Sequence, residues 1–296
     1  MSEPVKKKSD NFETAYRKHE RRWKDNRYVY PVVSRRSRGL SIGINLNPGK
    51  DCNFDCIYCQ VDHRSRTLSR TVDTERLSGE LHAILQEEKS GSLYEIAPFD
   101  LLPPAKRGVR DIAFSGNGEP TASSFFDSAV HIAVRARRHF DLDNTKIVLI
   151  TNASHLDAPG VRKALALMDD NNGEIWAKLD AGTEEYFRKI NRSAVPLERV
   201  LKNILTTASL RPLIIQTLWL RLRGTAPPPA EIGAYCDRLQ DLLSSGGRLK
   251  GLQLYTIARN TPGESVSALA DAELDGIADI VRARVPVPVE VFYGVA

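Results

Sequence analysis

Cys52, Cys56 and Cys59 crowd into eight residues, in the run KDCNFDCIYCQ, and the chain holds one further cysteine, Cys236. Thiolates at this spacing bind metal. A cubic iron–sulfur cluster normally takes one thiolate per iron, four in all. A loop that supplies three leaves one iron open, and an open metal position is where chemistry happens. Two other readings stand beside this one. His63, four residues after Cys59, would complete a Cys3His zinc site, and three buried thiols can serve packing alone. Cys236 falls on the apolar face of a predicted helix with Ile232, Tyr235 and Leu239, so it reads as a buried, inert thiol.

A second segment with chemical potential is Ser115-Gly116-Asn117-Gly118-Glu119-Pro120. Its glycines let the backbone approach a ligand closely. Its carbonyls and the Glu119 carboxylate can accept hydrogen bonds from an ammonium group.

Both segments must be held by something, and the surrounding pattern supplies it. Short β-rich runs at 40–46, 111–116, 146–152, 174–180, 213–222 and 251–258 alternate with helix-period segments. Several of the runs are continuously apolar, as strands buried on both faces of a parallel sheet are. Leu77, Leu81, Ile84 and Leu85 mark one helix, and Leu197, Leu201, Ile204 and Leu205 another. Ser124-x-x-Asp127 reads as a capping box for the helix carrying Phe126 and Val130. The prolines of RGTAPPPAE predict an extended stretch before a helix, and Pro286 and Pro288 place VEVFYG at a sheet edge or outside the sheet. Six strand–helix units in series predict a parallel α/β fold. Periodicity leaves a curved barrel and an open sheet equally possible. In both, ligands gather at the C-terminal ends of the strands. The cysteine loop, SGNGEPT, TNAS, LDAG and ARNTPG all follow strands and so share one face.

The run CNFDCIYC resembles the C-x3-C-x-aromatic-C pattern of the radical S-adenosylmethionine (SAM) superfamily, with Tyr58 as the aromatic. SGNGE resembles that family's Gly-Gly-Glu segment, with Asn117 interrupting the glycine pair. The resemblance implies a partial parallel (β/α)6 barrel with N- and C-terminal extensions, divided at 1–38, 39–262 and 263–296. It implies a [4Fe-4S] cluster on Cys52, Cys56 and Cys59, with SAM bound to the open iron and cleaved after one-electron reduction. It further implies SAM contacts from Tyr58, Ser115, Gly116, Asn117, Gly118, Glu119, Thr151, Asn152, Lys178, Asp180, Gln216, Tyr255, Thr256 and Ile257, with Arg259 at the rim. The electron would come from a partner such as flavodoxin or ferredoxin. INLNPGKDCNFDCIYCQ, FSGNGEPT, KLDAG and QLYTIAR together resemble the wyosine-synthase-like branch, over roughly residues 40–260. Members of that branch carry a second cluster on additional cysteines. With only Cys236 to spare, this chain is expected to act on a different substrate.

Charge bears on that substrate. The chain carries +5 net, but residues 1–38 hold twelve Lys/Arg against five Asp/Glu, so the rest is close to neutral. The basic arm either contacts an anionic partner such as RNA, helped by Arg64, Arg66 and Arg70, or is a solvated extension. A small-molecule or peptide substrate is the leading expectation, an RNA base-modifying enzyme the alternative, and a zinc-bearing RNA-binding module the reading from another class. The start MSEPVKKKSD lacks an apolar core and there is no apolar run of ~18 residues. A cytoplasmic protein that does not enter the membrane is therefore expected.

Overall fold

The computed structural model describes residues 14–15, 23–61, 71–259 and 265–294. His63, Arg64, Arg66 and Arg70 lie outside the described residues, as does most of the arm before Trp23.

An eight-stranded sheet organises the fold, in the order β1-β2-β3-β4-β5-β6-β8-β10. Its strands are β1 (Val29–Ser34), β2 (Gly39–Ile44), β3 (Val109–Phe114), β4 (Lys146–Thr151), β5 (Gly173–Lys178), β6 (Leu213–Leu218), β8 (Leu249–Tyr255) and β10 (Val289–Phe292). All neighbours from β2 to β10 run parallel, and β1 pairs antiparallel with β2. Helices α1 (Thr74–Ser90), α2 (Phe126–His139), α3 (Pro159–Asp169), α4 (Glu184–Asn191), α5 (Leu197–Leu210), α6 (Pro229–Ser244) and α7 (Asp271–Arg284) make the intervening crossovers. The sheet is curled, and alternate side chains divide between its two faces. Ile42, Ile112, Phe114, Leu149, Ile215 and Leu254 point outward and pack with helix residues such as Leu81, Val130, Leu165 and Ile204. Ser41, Gly43, Asp111, Ala113, Trp176 and Gln216 point inward and line the lumen. No helix among the described residues is long and apolar enough to cross a membrane.

Three local expectations are adjusted, and a fourth, the place of VEVFYG, is narrowed to the sheet edge. The run 213–222 is not one strand. It breaks at Trp219, which is fully buried against Tyr235 on α6, and Leu220–Leu222 forms β7, paired with β9 (Val266–Ala268). The residue before α2 is Phe125 with no side-chain cap, so Ser124 does not open that helix. VEVFYG contributes β10, the edge strand beside β8. Residues 29–34, read from sequence as part of a basic extension, form a buried strand of the sheet. Glu80 explains why this segment docks: its buried carboxylate on α1 accepts from the N–H groups of Arg27 (2.8 Å), Tyr28 (2.8 Å) and Val29 (3.1 Å), and from Arg76 Nε (2.7 Å). A hydrophobic period alone does not announce such a backbone clamp.

The turn between β1 and β2, Arg35–Arg38, reaches the opposite edge strand. Arg35 Nη1 donates to the Tyr293 carbonyl, and Arg38 pairs with Glu290 at 2.7 Å. Arg36 between them turns into the lumen, where its guanidinium sits 5.5 Å from the Trp176 ring centre and 5.3 Å from that of Tyr255. The seam between the first and last strands is thus bridged by arginines that the charge count alone assigns to a solvated arm.

Candidate functional site

The cysteine loop leaves β2 at the C-terminal end of the sheet and is clamped from three directions. From β3, Gly118 lies so close that a Cβ built on it would stand 2.0 Å from the Asp51 carbonyl oxygen. From β4, Asn152 Nδ2 donates to Asn53 Oδ1 at 2.9 Å, and Asn53 Nδ2 donates to Ser154 Oγ at 2.8 Å. From the end of α4, the carbonyls of Asn191 and Ile190 accept from Asp55 N (3.2 Å) and Ile57 N (2.9 Å). Phe54 packs edge-on against Phe187 of the same helix. Asn45 ties the loop to SGNGE: its Oδ1 accepts from Asn47 N (3.0 Å) and Asn117 N (3.2 Å). Gly116 beside it has φ +135, a conformation that only glycine takes without strain.

Cys52, Cys56 and Cys59 form no disulfide and face one cavity of about 290 Å³. Tyr58, Ser115, Gly116, Gly118, Glu119, Thr151, Asn152, Lys178, Gln216, Tyr255, Thr256 and Ile257 stand on the same wall, with Arg259 and Gln60 at its end. Two residues expected to touch the ligand do not reach this wall. Asn117 does not line the cavity, and its backbone N–H is given to Asn45. Asp180 lies behind the wall, 1% exposed, as the hub of a network. It accepts from the Tyr58 hydroxyl, from Lys178 Nζ (3.2 Å), Asn191 Nδ2 (3.0 Å) and Leu218 N (2.9 Å). Asn191 Nδ2 also lies 3.5 Å from Cys56 Sγ. Lys178 reaches the Tyr255 hydroxyl at 2.7 Å, over the rings of Tyr58 and Tyr255.

Electrostatics follow from this packing. Burial alone would lower the Lys178 ammonium, but the Asp180 carboxylate and the Tyr255 hydroxyl outweigh it and raise it above the usual lysine range. It is a held cation rather than a free amine. Burial, then Asp180, pushes the Tyr58 phenol well up. Burial pushes Cys52 and Cys56 up to about 12, with Glu119 adding to the rise at Cys52 and Asp180 at Cys56. Thiols in such a place become thiolates when a cation compensates them, which is what a cluster's irons do. Among the described residues, no group of three or more His, Cys, Asp or Glu side chains is gathered to hold a single metal ion. A cube takes its thiolates on separate irons, and three sulfurs spread along one clamped loop fit that demand.

Glu119, 3% exposed, is already engaged. Its Oε1 accepts from Thr121 N (3.1 Å), Thr121 Oγ1 (2.5 Å) and Thr151 Oγ1 (2.6 Å), and its Oε2 from Asn152 N (2.7 Å). Oε2 retains accepting capacity toward the cavity. Thr256 Oγ1 is committed to Leu269 N at 2.9 Å.

Sequence reasoning missed the deeper wall: Tyr30, Arg36, Ser41, Asp111, Trp176 and Leu218. Most were available from strand alternation. Asp111 and Ala113 precede Ser115 by steps of two, as Trp176 precedes Lys178, so they share its face. Tyr30 had no such signal, because β1 itself was unrecognised; its ring covers Gly43 and its hydroxyl meets Ser115 Oγ at 3.2 Å.

A family model described as the radical SAM superfamily matches residues 46–212. The chain is 24% identical over 275 residues to a protein named GTPase Obg from Brachyspira hyodysenteriae, covering 90% of this chain and 35% of that protein. It is 32% identical over 178 residues to the UPF0026 protein MJ1312 of Methanocaldococcus jannaschii, covering 59% of this chain and 47% of that protein. The chain thus spans half or less of the length of these curated relatives. In fold it is similar to a structure of TYW1 with a lysine-pyruvate adduct bound, with TM-score 0.52 and 15% identity over 84% of this chain and 74% of that one.

Proposed function

Because the chain belongs to the radical SAM superfamily, whose members are enzymes that use a [4Fe-4S] cluster and SAM, we propose that Cys52, Cys56 and Cys59 hold three corners of that cluster and that the cavity they face binds SAM for reductive cleavage. When bound, the cluster would supply the single electron for reductive cleavage of SAM, the chemistry with which this superfamily starts hydrogen-atom abstraction. The chain's own residues bind, orient and shield. The Gly116–Gly118 backbone and Glu119 Oε2 take the methionyl ammonium, with Thr151 and Asn152 fixing the carboxylate's angle. Lys178, held between Tyr58 and Tyr255, presents a fixed positive charge toward the methionyl carboxylate or the ribose. The backbone at Thr256 and Ile257 borders the adenine. Asp180 acts at one remove, by setting Lys178 and Tyr58.

The observation that carries this reading is the convergence of three thiols and the SGNGE edge on one cavity, locked together at Gly118. The test is anaerobic reconstitution with iron and sulfide, dithionite reduction in the presence of SAM, and assay of 5′-deoxyadenosine against Cys56→Ala. Cysteine-dependent production is expected. A protein that takes up zinc instead, with no SAM cleavage, would overturn it. In the cell a flavodoxin or ferredoxin would replace dithionite.

The substrate is proposed to be a small molecule or peptide. An RNA base is the second reading, resting on the +7 net charge of residues 1–38. Three of the arm's cations, Arg35, Arg36 and Arg38, serve the barrel seam and lumen instead, which weakens it. Removing residues 1–22 should abolish salt-sensitive RNA binding if RNA is the substrate.

A further inference from the structure

The lumen continues below the proposed SAM site, and its inner end is built for a ligand of its own. Trp176 lies two residues before Lys178, the last residue of β5, ~7 Å of strand below the sheet's C-terminal edge. A second cavity of about 470 Å³ opens at the other end of the barrel. The two share Arg36, Ser37, Asp111 and Trp176 as their dividing wall. Arg36 is the cation at that wall. Its Nη1 donates to Gln216 Oε1 at 3.0 Å, and Gln216 Nε2 donates onward to Gln253 Oε1 at 2.6 Å. Gln216 and Gln253 are buried, so the chain spends neither amide on solvent.

A guanidinium has five N–H donors in a fixed fork. Among the described residues Arg36 meets one hydrogen-bond acceptor, while the Trp176 and Tyr255 rings fix its plane. Lys178, another cation of the upper cavity wall, is matched by Asp180 at 3.2 Å. The anion facing Arg36 is Asp111, whose carboxyl burial pushes up against the lowering effect of Ser37, Ser41 and Arg36, and whose Oδ1 is occupied by Ser41 Oγ at 2.5 Å. A stacked, oriented fork with donors to spare is the form in which proteins receive carboxylates and phosphates bidentately.

We infer that the molecule acted on is a small anion, bearing a carboxylate or phosphate group that Arg36 holds at the inner end of the lumen. This rests on the radical SAM reading only in calling that molecule the substrate. The position of Arg36, inside the barrel between two rings, favours a compact ligand over a polynucleotide backbone, which meets cations on open surfaces.

The test uses the full chain, with and without reconstituted cluster and SAM. Inorganic phosphate and oxalate are titrated separately at ionic strength fixed with KCl, following tryptophan fluorescence. A saturable change is expected that is absent in Trp176→Phe and at least tenfold weaker in Arg36→Gln, but unaltered in Lys163→Gln, a surface cation change. Because Arg36→Gln also removes the Gln216 contact, the wild-type protein is footprinted in parallel: phosphate or oxalate should protect Arg36 from phenylglyoxal, read by mass spectrometry. Absence of both the saturable change and the protection would overturn the inference, as would RNA that shields Arg36 when neither anion does. If 5′-deoxyadenosine never forms but the anions bind at Arg36, the functional reading fails and the site stands. If it forms and Arg36 ignores both anions, the site fails alone.

Discussion

Replacing Asn191 by alanine should lower the midpoint potential of the reconstituted cluster by about 40 mV while leaving the protein folded. Asn191 Nδ2 faces three acceptors: Asp180 Oδ2 at 3.0 Å, Cys56 Sγ at 3.5 Å and the Tyr58 hydroxyl at 3.5 Å. Losing the charge-assisted bond to Asp180 costs about 1.5–3 kcal/mol. Against this, Asn191 Oδ1 is buried and meets no hydrogen-bond partner among the described residues, and removing it returns a desolvation penalty of about 1–3 kcal/mol. The two nearly offset, so the melting temperature should move by no more than about 4 °C. The helix end keeps its grip on the loop because Asp55 N and Ile57 N bond to backbone carbonyls, which the substitution leaves in place. What changes is the cluster's surroundings. A donor to a ligand sulfur favours the reduced, more negative state, so its loss lowers the potential. At 3.5 Å the bond belongs at the weak end, ~1 kcal/mol of difference between oxidation states. For a one-electron couple a tenfold change, 1.36 kcal/mol, is 59 mV, giving roughly 40 mV. The assay is a redox titration followed by electron paramagnetic resonance on samples of matched iron content. An unchanged or higher midpoint in a folded, loaded variant would refute the reasoning.

Gly118→Ala should fold but load iron poorly, since its Cβ must displace Asp51 and with it the cysteine loop. Overpacking of this kind costs about 1–3 kcal/mol, and iron and sulfide content per chain is the check. Glu80→Ala strips one acceptor from three backbone N–H groups and Arg76, so denaturant unfolding should show a loss of about 3–5 kcal/mol, with proteolysis beginning near Tyr28. Glu174 is opposed by burial, but Lys250, Trp176 and Lys146 more than compensate and hold its carboxyl below the usual range. Its stabilising effect is therefore complete above the unfolded value of 4.5 and is lost as pH falls through the folded value. Glu174→Gln should flatten that acid limb in melting curves taken from pH 6 to pH 3, and an unchanged limb would contradict the assignment.

The parallel core was legible because its strands are buried on both faces and its helices repeat at 3.6 residues. The cysteine triplet and SGNGE were legible because both the chemistry and the turn fix the residue types. The first strand was not. YVYPVV sits in a basic stretch, and its place in the sheet is decided by Glu80, more than 50 positions away. Asp180 was legible as part of the site but not as its second layer, because only the fold shows that Lys178 and Tyr58 stand between it and the cavity. Arg36 was hidden by the same charge count that made the arm conspicuous. Composition sums a cation without saying whether it faces water or a pair of aromatic rings.

The arginine bridge across the seam also sets an order of events during synthesis. Arg35 and Tyr293 are separated by 258 positions, so the hairpin that carries Arg36 leaves the ribosome long before β8 and β10 exist. Until then Arg36 lacks Gln216, Tyr255 and the edge it leans toward, and the interior of the barrel stands open to water along one side. Contacts of such long range form late and slow the final step of folding. A nascent or truncated chain that stops short of Val289 would carry the cysteine loop and every strand from β1 to β8, yet would have nothing to fasten its first edge to. The chamber is finished by a strand made long after the hairpin it fastens, which delays an enclosed reaction space until β10 has emerged.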